Sequence, residues 1–316
     1  MIRKRHIKFI IISFFCLIGV SFNSYAFSFK EFIIDLINSR PGSKYYEETE
    51  GKDLTKFTES NQCEKHYIWG RPTIKDKVVN NRSLFICRKN FAIQFDSKLK
   101  VPLWVSEVLN REPIITRQHN LNVKFKLDDD LPSKMQPTYE DYLNTQYFPV
   151  QLATVYNMSL TDYNKNNLKL NQEYFNFSNT APMVRENLGN TIWIELEEQV
   201  RAWVMQKGKL IITTGVIYLN GQTNGSLKKS GTLIPTHFYK IITHSNSRGT
   251  VAFIIPNKEI LTKYTKKLNN PKNAFKCNGG PCSLSNFIVS VKEIERVTNT
   301  EFYPQLTPQL AAQVKF

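Results

Sequence analysis

The chain has 316 residues, of which 41% are hydrophobic, 12% aromatic and 22% charged. That balance excludes a disordered, collagen-like or coiled-coil protein, and the length is enough to bury a full core without staples. Lysine and arginine number 42 against 27 acidic residues, a formal charge of +15. Such an excess is silent on fold but favours anionic partners: nucleic acid, a membrane surface or an acidic polymer.

Residues 1–26 read as a targeting segment and stand apart from the fold. Arg3, Lys4, Arg5 and Lys8 make a basic start, an apolar run extends from Phe9 to Val20, and Ser24-Tyr25-Ala26 offers small residues where a signal peptidase cuts. The run is about a dozen residues, too short to span a bilayer comfortably. A cleaved signal is therefore expected in preference to an uncleaved anchor, with no stable membrane span afterwards and a secreted or periplasmic location. Removing four of the 42 basic residues leaves 38 against 27 acidic ones, so the positive balance belongs to the mature protein. Cys63, Cys87, Cys277 and Cys282 also remain. An even cysteine count in an exported chain predicts two disulfides. Cys277 and Cys282 enclose Asn-Gly-Gly-Pro, turn chemistry that brings two thiols together, which leaves Cys63 with Cys87. A zinc site is the rival, but only one pair is closely spaced and no histidine lies near it.

Residues 27–38 carry apolar groups near helical spacing and predict one short amphipathic helix. The stretch from Arg40 to Gln62 is polar and glycine-containing, so 27–62 reads as an N-terminal arm and 63–316 as one domain. Strand signals there are short and numerous. Ser83–Cys87 and Phe91–Phe95 read as a hairpin; Val101–Val108, Leu121–Lys126, Tyr174–Phe177, Leu210–Leu219, His237–Thr243 and Thr250–Ile255 follow. One helix is predicted between them, Thr191 to Gln206, where Trp193, Leu196, Val200, Trp203 and Val204 recur at three- and four-residue steps and make one face apolar. The fold class expected is α+β: a mixed, mostly antiparallel central sheet with flanking helices.

Several segments, in this order, resemble the DNA/RNA non-specific endonucleases of the ββα-metal (His-Me finger) group: LFICRKNFAIQFDSKLKVPLWVSEVL (84–109), DYLNTQYFPVQLA (141–153), YFNFSNTAPMVRENLGNTIWIELEEQVRAW (174–203), TGVIY (214–218), LIPTHFYKII (233–242), VAFIIPN (251–257) and IERVTNTEFYPQL (294–306). The resemblance implies a ββα-metal nuclease-like fold and a site for phosphodiester hydrolysis. That reaction needs a base to take a proton from water, a divalent metal to stabilise the leaving oxygen, and cations to offset charge growing at phosphorus. The family supplies them with an Asp-Arg-Gly-His motif, an Asn four residues before the helix Trp that holds Mg²⁺, and a Glu and an Arg further along that helix.

Carried onto this chain, the motif positions are Phe148, Pro149, Val150 and Gln151, so Gln151 stands where the resemblance implies a base. An amide does not accept a proton near neutral pH, and losing a general base costs roughly 10²–10⁴ in rate. Gly189 falls at the metal position; Asn190 is one residue on and is the candidate metal ligand, although one helical step turns a side chain by about 100°. Glu197 and Arg201 match the helix positions, against the plainer reading of a surface i,i+4 ion pair. Lys228 and Lys229 are candidate phosphate contacts, against a solvated face. His119 and His244 are candidates for a migrated base. His237 matches a strand position where a structural role is expected.

The reading is a secreted pseudonuclease that keeps nucleic-acid binding, with Mg²⁺ required only if activity survives. The alternatives are an active divergent metal-dependent endonuclease and an exported protein-binding module on the same scaffold. The sequence sets no oligomeric state.

Overall fold

Alternation of apolar residues dictates how the largest layer forms. In Phe91–Asp96 (β3), Phe91, Ile93 and Phe95 point to one face and Ala92 to the other, and all six residues are buried. A strand covered on both sides belongs inside a sheet. Its partners are Ser83–Cys87 (β2), joined to it as a hairpin, and Val101–Leu109 (β4), with a register shift at Gln94/Phe95. This computed structural model describes residues 61–111, 124–157, 172–185, 192–244, 249–263 and 274–306.

The full sheet has seven strands. Besides β2, β3 and β4 it contains Leu210–Ile217 (β7), His237–His244 (β8), Thr250–Pro256 (β9) and Ile288–Val289 (β10), in the order β10-β9-β8-β7-β4-β3-β2. Every neighbouring pair is antiparallel. A second ribbon is made by Tyr147–Gln151 (β5) and Thr180–Val184 (β6), and a third by Thr73–Ile74 (β1) and Thr300–Glu301 (β11). In the β5/β6 ribbon Pro149 lies opposite Pro182. Neither ring can donate to a ladder, and a proline pair fits only where the two strands exchange no hydrogen bond.

The helices are Lys77–Arg82 (α1), Ile192–Lys207 (α2) and Val291–Thr298 (α3). α2 lays Trp193, Leu196, Val200 and Val204 on the face that carries Ile93, Val105, Ile212 and Phe238, where the Trp193 and Phe238 rings lie 5.5 Å apart. The opposite face is covered by Val291 and Ile294 of α3 and by Phe302, packed with Trp104 and Tyr239. Gly215 is fixed by that second core: a Cβ there would lie 2.2 Å from the Leu103 carbonyl oxygen and 2.4 Å from the Tyr239 hydroxyl.

The two predicted disulfides are present, Cys63–Cys87 and Cys277–Cys282. The hairpin, the long strands and α2 match their expected ranges to within two residues. Tyr174–Phe177 is not a strand: Asn176 makes a single bridge to Lys126, and Phe177–Asn179 is a 3-10 turn. There Tyr174 and Phe175 enter the main core while Asn179 closes the turn, its side chain bonding the Ala153 and Tyr174 carbonyls. Of Leu121–Lys126 only 124–126 are described, in that one bridge. The targeting segment, its cleavage site and the helix at 27–38 lie outside the described residues, as does the arm up to residue 60. Among the described residues, no helix is long and apolar enough to cross a membrane.

Candidate functional site

Gln151 ends β5 and is partly exposed. Its amide is held by the backbone at both ends: Nε2 donates to the Tyr174 carbonyl at 2.8 Å, and Oε1 accepts from the Val155 N–H at 3.3 Å. Asn179 holds the same turn from beneath, accepting from the Ala153 N–H and donating to the Ala153 and Tyr174 carbonyls. A glutamine suits this socket because it offers one donor and one acceptor at once. The preceding motif positions turn inward: Phe148 and Val150 are core residues, and the Arg185 guanidinium lies over the Phe148 ring.

Glu197 is not on the surface. It is 1% exposed and forms an ion pair with Lys240 Nζ at 3.0 Å, with Arg201 Nη1 at 4.0 Å from its other oxygen. The surface reading of the Glu197–Arg201 pair is thus corrected by burial. Strand alternation explains the company it keeps. Lys240 is in phase with Phe238 and Ile242, Thr214 is its direct cross-strand partner, and Glu107 is in phase with Val105 and Leu109. Sheet pairing therefore sets three polar side chains among apolar ones on the face covered by α2. Lys240 also donates to Thr214 Oγ1 at 2.8 Å and lies 5.2 Å from the centre of the Trp193 ring. Glu107 accepts from Asn157 Nδ2 at 2.7 Å.

A group of opposed charges under a helix is electrostatically tense. Burial pushes the Glu107 carboxyl up to about 8, with Glu197 adding to the rise while Lys240, the Asn157 hydrogen bond and Arg201 oppose it. Burial likewise pulls the Arg201 guanidinium below its ordinary value, against the attraction of Glu197 and Glu198. At neutral pH Glu107 is thus largely a neutral hydrogen-bonding group, set beside the Glu197–Lys240 pair.

Other candidates stand apart. Asn187, Gly189, Asn190 and His119 lie outside the described residues. His244 ends β8 four residues beyond Lys240, roughly 13 Å along a strand, and its Nε2 lies 3.1 Å from the Lys207 carbonyl. His237 contacts Thr236 Oγ1, and burial beside Lys258 lowers its pKa. Lys228 and Lys229 are exposed on a turn whose Leu227 packs with Tyr147, at the end of β5 away from Gln151.

The position at which the family holds its metal lies outside the described residues. Among the described residues no three histidine, cysteine or acidic side chains converge, and Glu197 is engaged by Lys240 Nζ at 3.0 Å. A second cation beside that group would meet Lys240 and Arg201 in a low-dielectric interior.

The β5/β6 ribbon and α2, set against a large antiparallel sheet, give the fold of a family: residues 71–309 match the DNA/RNA non-specific endonuclease family, and the chain belongs to it. Similar proteins include mitochondrial nuclease EXOG of Mus musculus, 26% identical over 69% of this chain and 56% of that protein. Mitochondrial nuclease 1 of Schizosaccharomyces pombe is 23% identical over 81% and 80% of the two chains. The chain thus spans little more than half the length of the mouse relative. Among solved structures, a chain of the EndoG/EndoGI complex shares the fold with a TM-score of 0.56 at 22% identity, covering 73% of this chain and 88% of that one. These relatives overturn the expectation of a secreted or periplasmic protein, since EXOG, nuclease 1 and the Saccharomyces cerevisiae nuclease are mitochondrial.

Sequence reasoning passed over Glu107, Asn157, Thr214 and Lys240. A signal existed for two of them: Glu107 and Lys240 are charged residues in phase with the apolar face of otherwise hydrophobic strands, a pattern that demands a buried partner.

Proposed function

We propose that this chain is a nuclease-family protein whose hydrolytic step is impaired and whose affinity for nucleic acid is retained. The observation that carries the reading is Gln151 at the base position, with both ends of its amide taken by the Tyr174 carbonyl and the Val155 N–H. An amide so held takes no proton from water near neutral pH. The engagement of Glu197 by Lys240 supports the same reading, because it leaves the matching carboxylate committed to an internal pair. The positive balance of the chain supports the binding half.

The test uses purified protein, supercoiled plasmid and Mg²⁺ or Mn²⁺. The expected result is no EDTA-sensitive nicking above buffer at micromolar protein, together with a salt-sensitive mobility shift. Rapid metal-dependent degradation that co-purifies with the protein and is lost on substituting His119 or His244 would overturn it in favour of an active, divergent nuclease. No mobility shift at low salt would remove the nucleic-acid half and leave the protein-binding scaffold.

A further inference from the structure

Two turns far apart in sequence are locked together beside the β5/β6 ribbon. The first is Ser97–Lys100, between β3 and β4; the second is Leu227–Thr232, closed by its own backbone bonds. Lys100 Nζ donates to the Ser230 carbonyl at 2.5 Å, and the Leu233 N–H donates to the Leu99 carbonyl at 3.1 Å. Lys100 adopts φ 60°, a left-handed conformation that disfavours a residue carrying a β-carbon. That residue is one of the two ties between the turns.

The nearby carboxylates face inward. Asp96 is bound by Arg82 and by the Lys98 and Leu99 N–H groups. Asp141 is bound by the Thr138 and Ser230 N–H groups. Lys98, Lys228 and Lys229 are exposed, and no described acidic side chain pairs with them. We propose that these two turns form a rigid docking ridge for a phosphodiester backbone, with Lys98, Lys228 and Lys229 as its phosphate contacts; this rests on the nucleic-acid-binding reading above. Lys100 is the brace that sets their spacing.

The position suits an extended ligand. β5 runs from Tyr147, packed with Leu227, to Gln151, roughly 13 Å at the usual rise of a strand. A duplex carries one charge per roughly 1.7 Å of axis, so such a length offers about seven phosphates between the ridge and Gln151.

The experiment is a salt titration of a fluorescein-labelled 20-base-pair duplex by anisotropy. The wild type is compared with the triple variant Lys98→Ala/Lys228→Ala/Lys229→Ala and with a control of equal charge, Lys77→Ala/Lys209→Ala/Lys292→Ala, whose residues are exposed elsewhere. Thermal melts confirm that all three fold. Three lost contacts should reduce the slope of log K against log salt by about 2.7, while the control changes it by less than about 1. Equal loss in both triples, or an unchanged slope in the ridge variant, overturns the ridge but not the binding reading. Absence of wild-type binding at 20 mM salt overturns both. Heparin binding that depends on the ridge, with duplex binding that does not, would overturn it as a nucleic-acid site.

Discussion

Two buried titratable residues set how this protein responds to pH, and they act in opposite directions. The Glu107 carboxyl is raised to about 8 by burial, so between an unfolded value near 4.5 and 8 the native state binds more protons than the unfolded one. Its contribution to stability is full below about 4.5 and is lost as pH rises through 8. Glu107→Gln keeps an acceptor for Asn157 and should flatten urea-derived stability across that window. His66 is the mirror case. Its pKa is lowered to about 4 by burial first and by Lys65 next, and Nε2 sits 3.2 Å from the Arg88 carbonyl while Nδ1 has no hydrogen-bond partner. A neutral ring that donates through Nε2 fits that arrangement. Stability from His66 is present above 6.5 and lost as pH falls through 4, and His66→Gln should blunt acid unfolding there. Glu197→Gln is the harshest of these changes. It leaves Lys240 buried without its carboxylate, and breaking such a pair costs about 3–5 kcal/mol.

Among the elements, α2 is anchored by Trp193 against Phe238 and Lys240. Trp193→Ala should cost about 3–5 kcal/mol in equilibrium unfolding. β5 answers differently at its two ends. Gln151→His replaces a half-exposed amide in a socket that offers a backbone acceptor, and it should shift the melting temperature by only a few degrees. Phe148→Asp removes a ring that is 2% exposed in the main core, and losing that packing, about 3–5 kcal/mol, should unfold much of the population. A full restoration of the motif at 148–151 would therefore fail by instability, and Gln151→His alone is the informative variant. The helix, the hairpin and the long strands were legible because their periodicity is uninterrupted. β5 and β6 were not, because Pro149 and Pro182 are poor strand residues unless they oppose each other, which only the partner strand reveals.

For the molecule as a whole, the disulfides tie down different lengths of chain. Cys63–Cys87 closes 24 residues and attaches the Asn61–His66 turn to β2, whereas Cys277–Cys282 closes five. Chain-entropy estimates give about 3.5 kcal/mol for the longer loop and about 2 for the shorter. Replacing each pair by serine should lower the urea midpoint in that order, measured without reductant; the reverse order would mean that native contacts, not loop closure, dominate. The thiol pairing was legible from cysteine count and the Asn-Gly-Gly-Pro turn. The location was misread, because a basic start and a short apolar run are features that separate export routes poorly.

Linear order alone determined the α+β class, the main strands, α2, the resemblance to the nuclease family and the amide at Gln151, since each is written in periodicity or in residue type. Only the tertiary structure decided that this amide is held at both ends, that Glu197 is buried on Lys240 and not spread over a surface helix, and that the turn carrying Lys98 is tied through Lys100 to the turn carrying Lys228 and Lys229. Those facts depend on which residues from distant segments share a sheet face or meet across two turns. Pairing of that kind is fixed by packing a shared core, and no local stretch of chain encodes it.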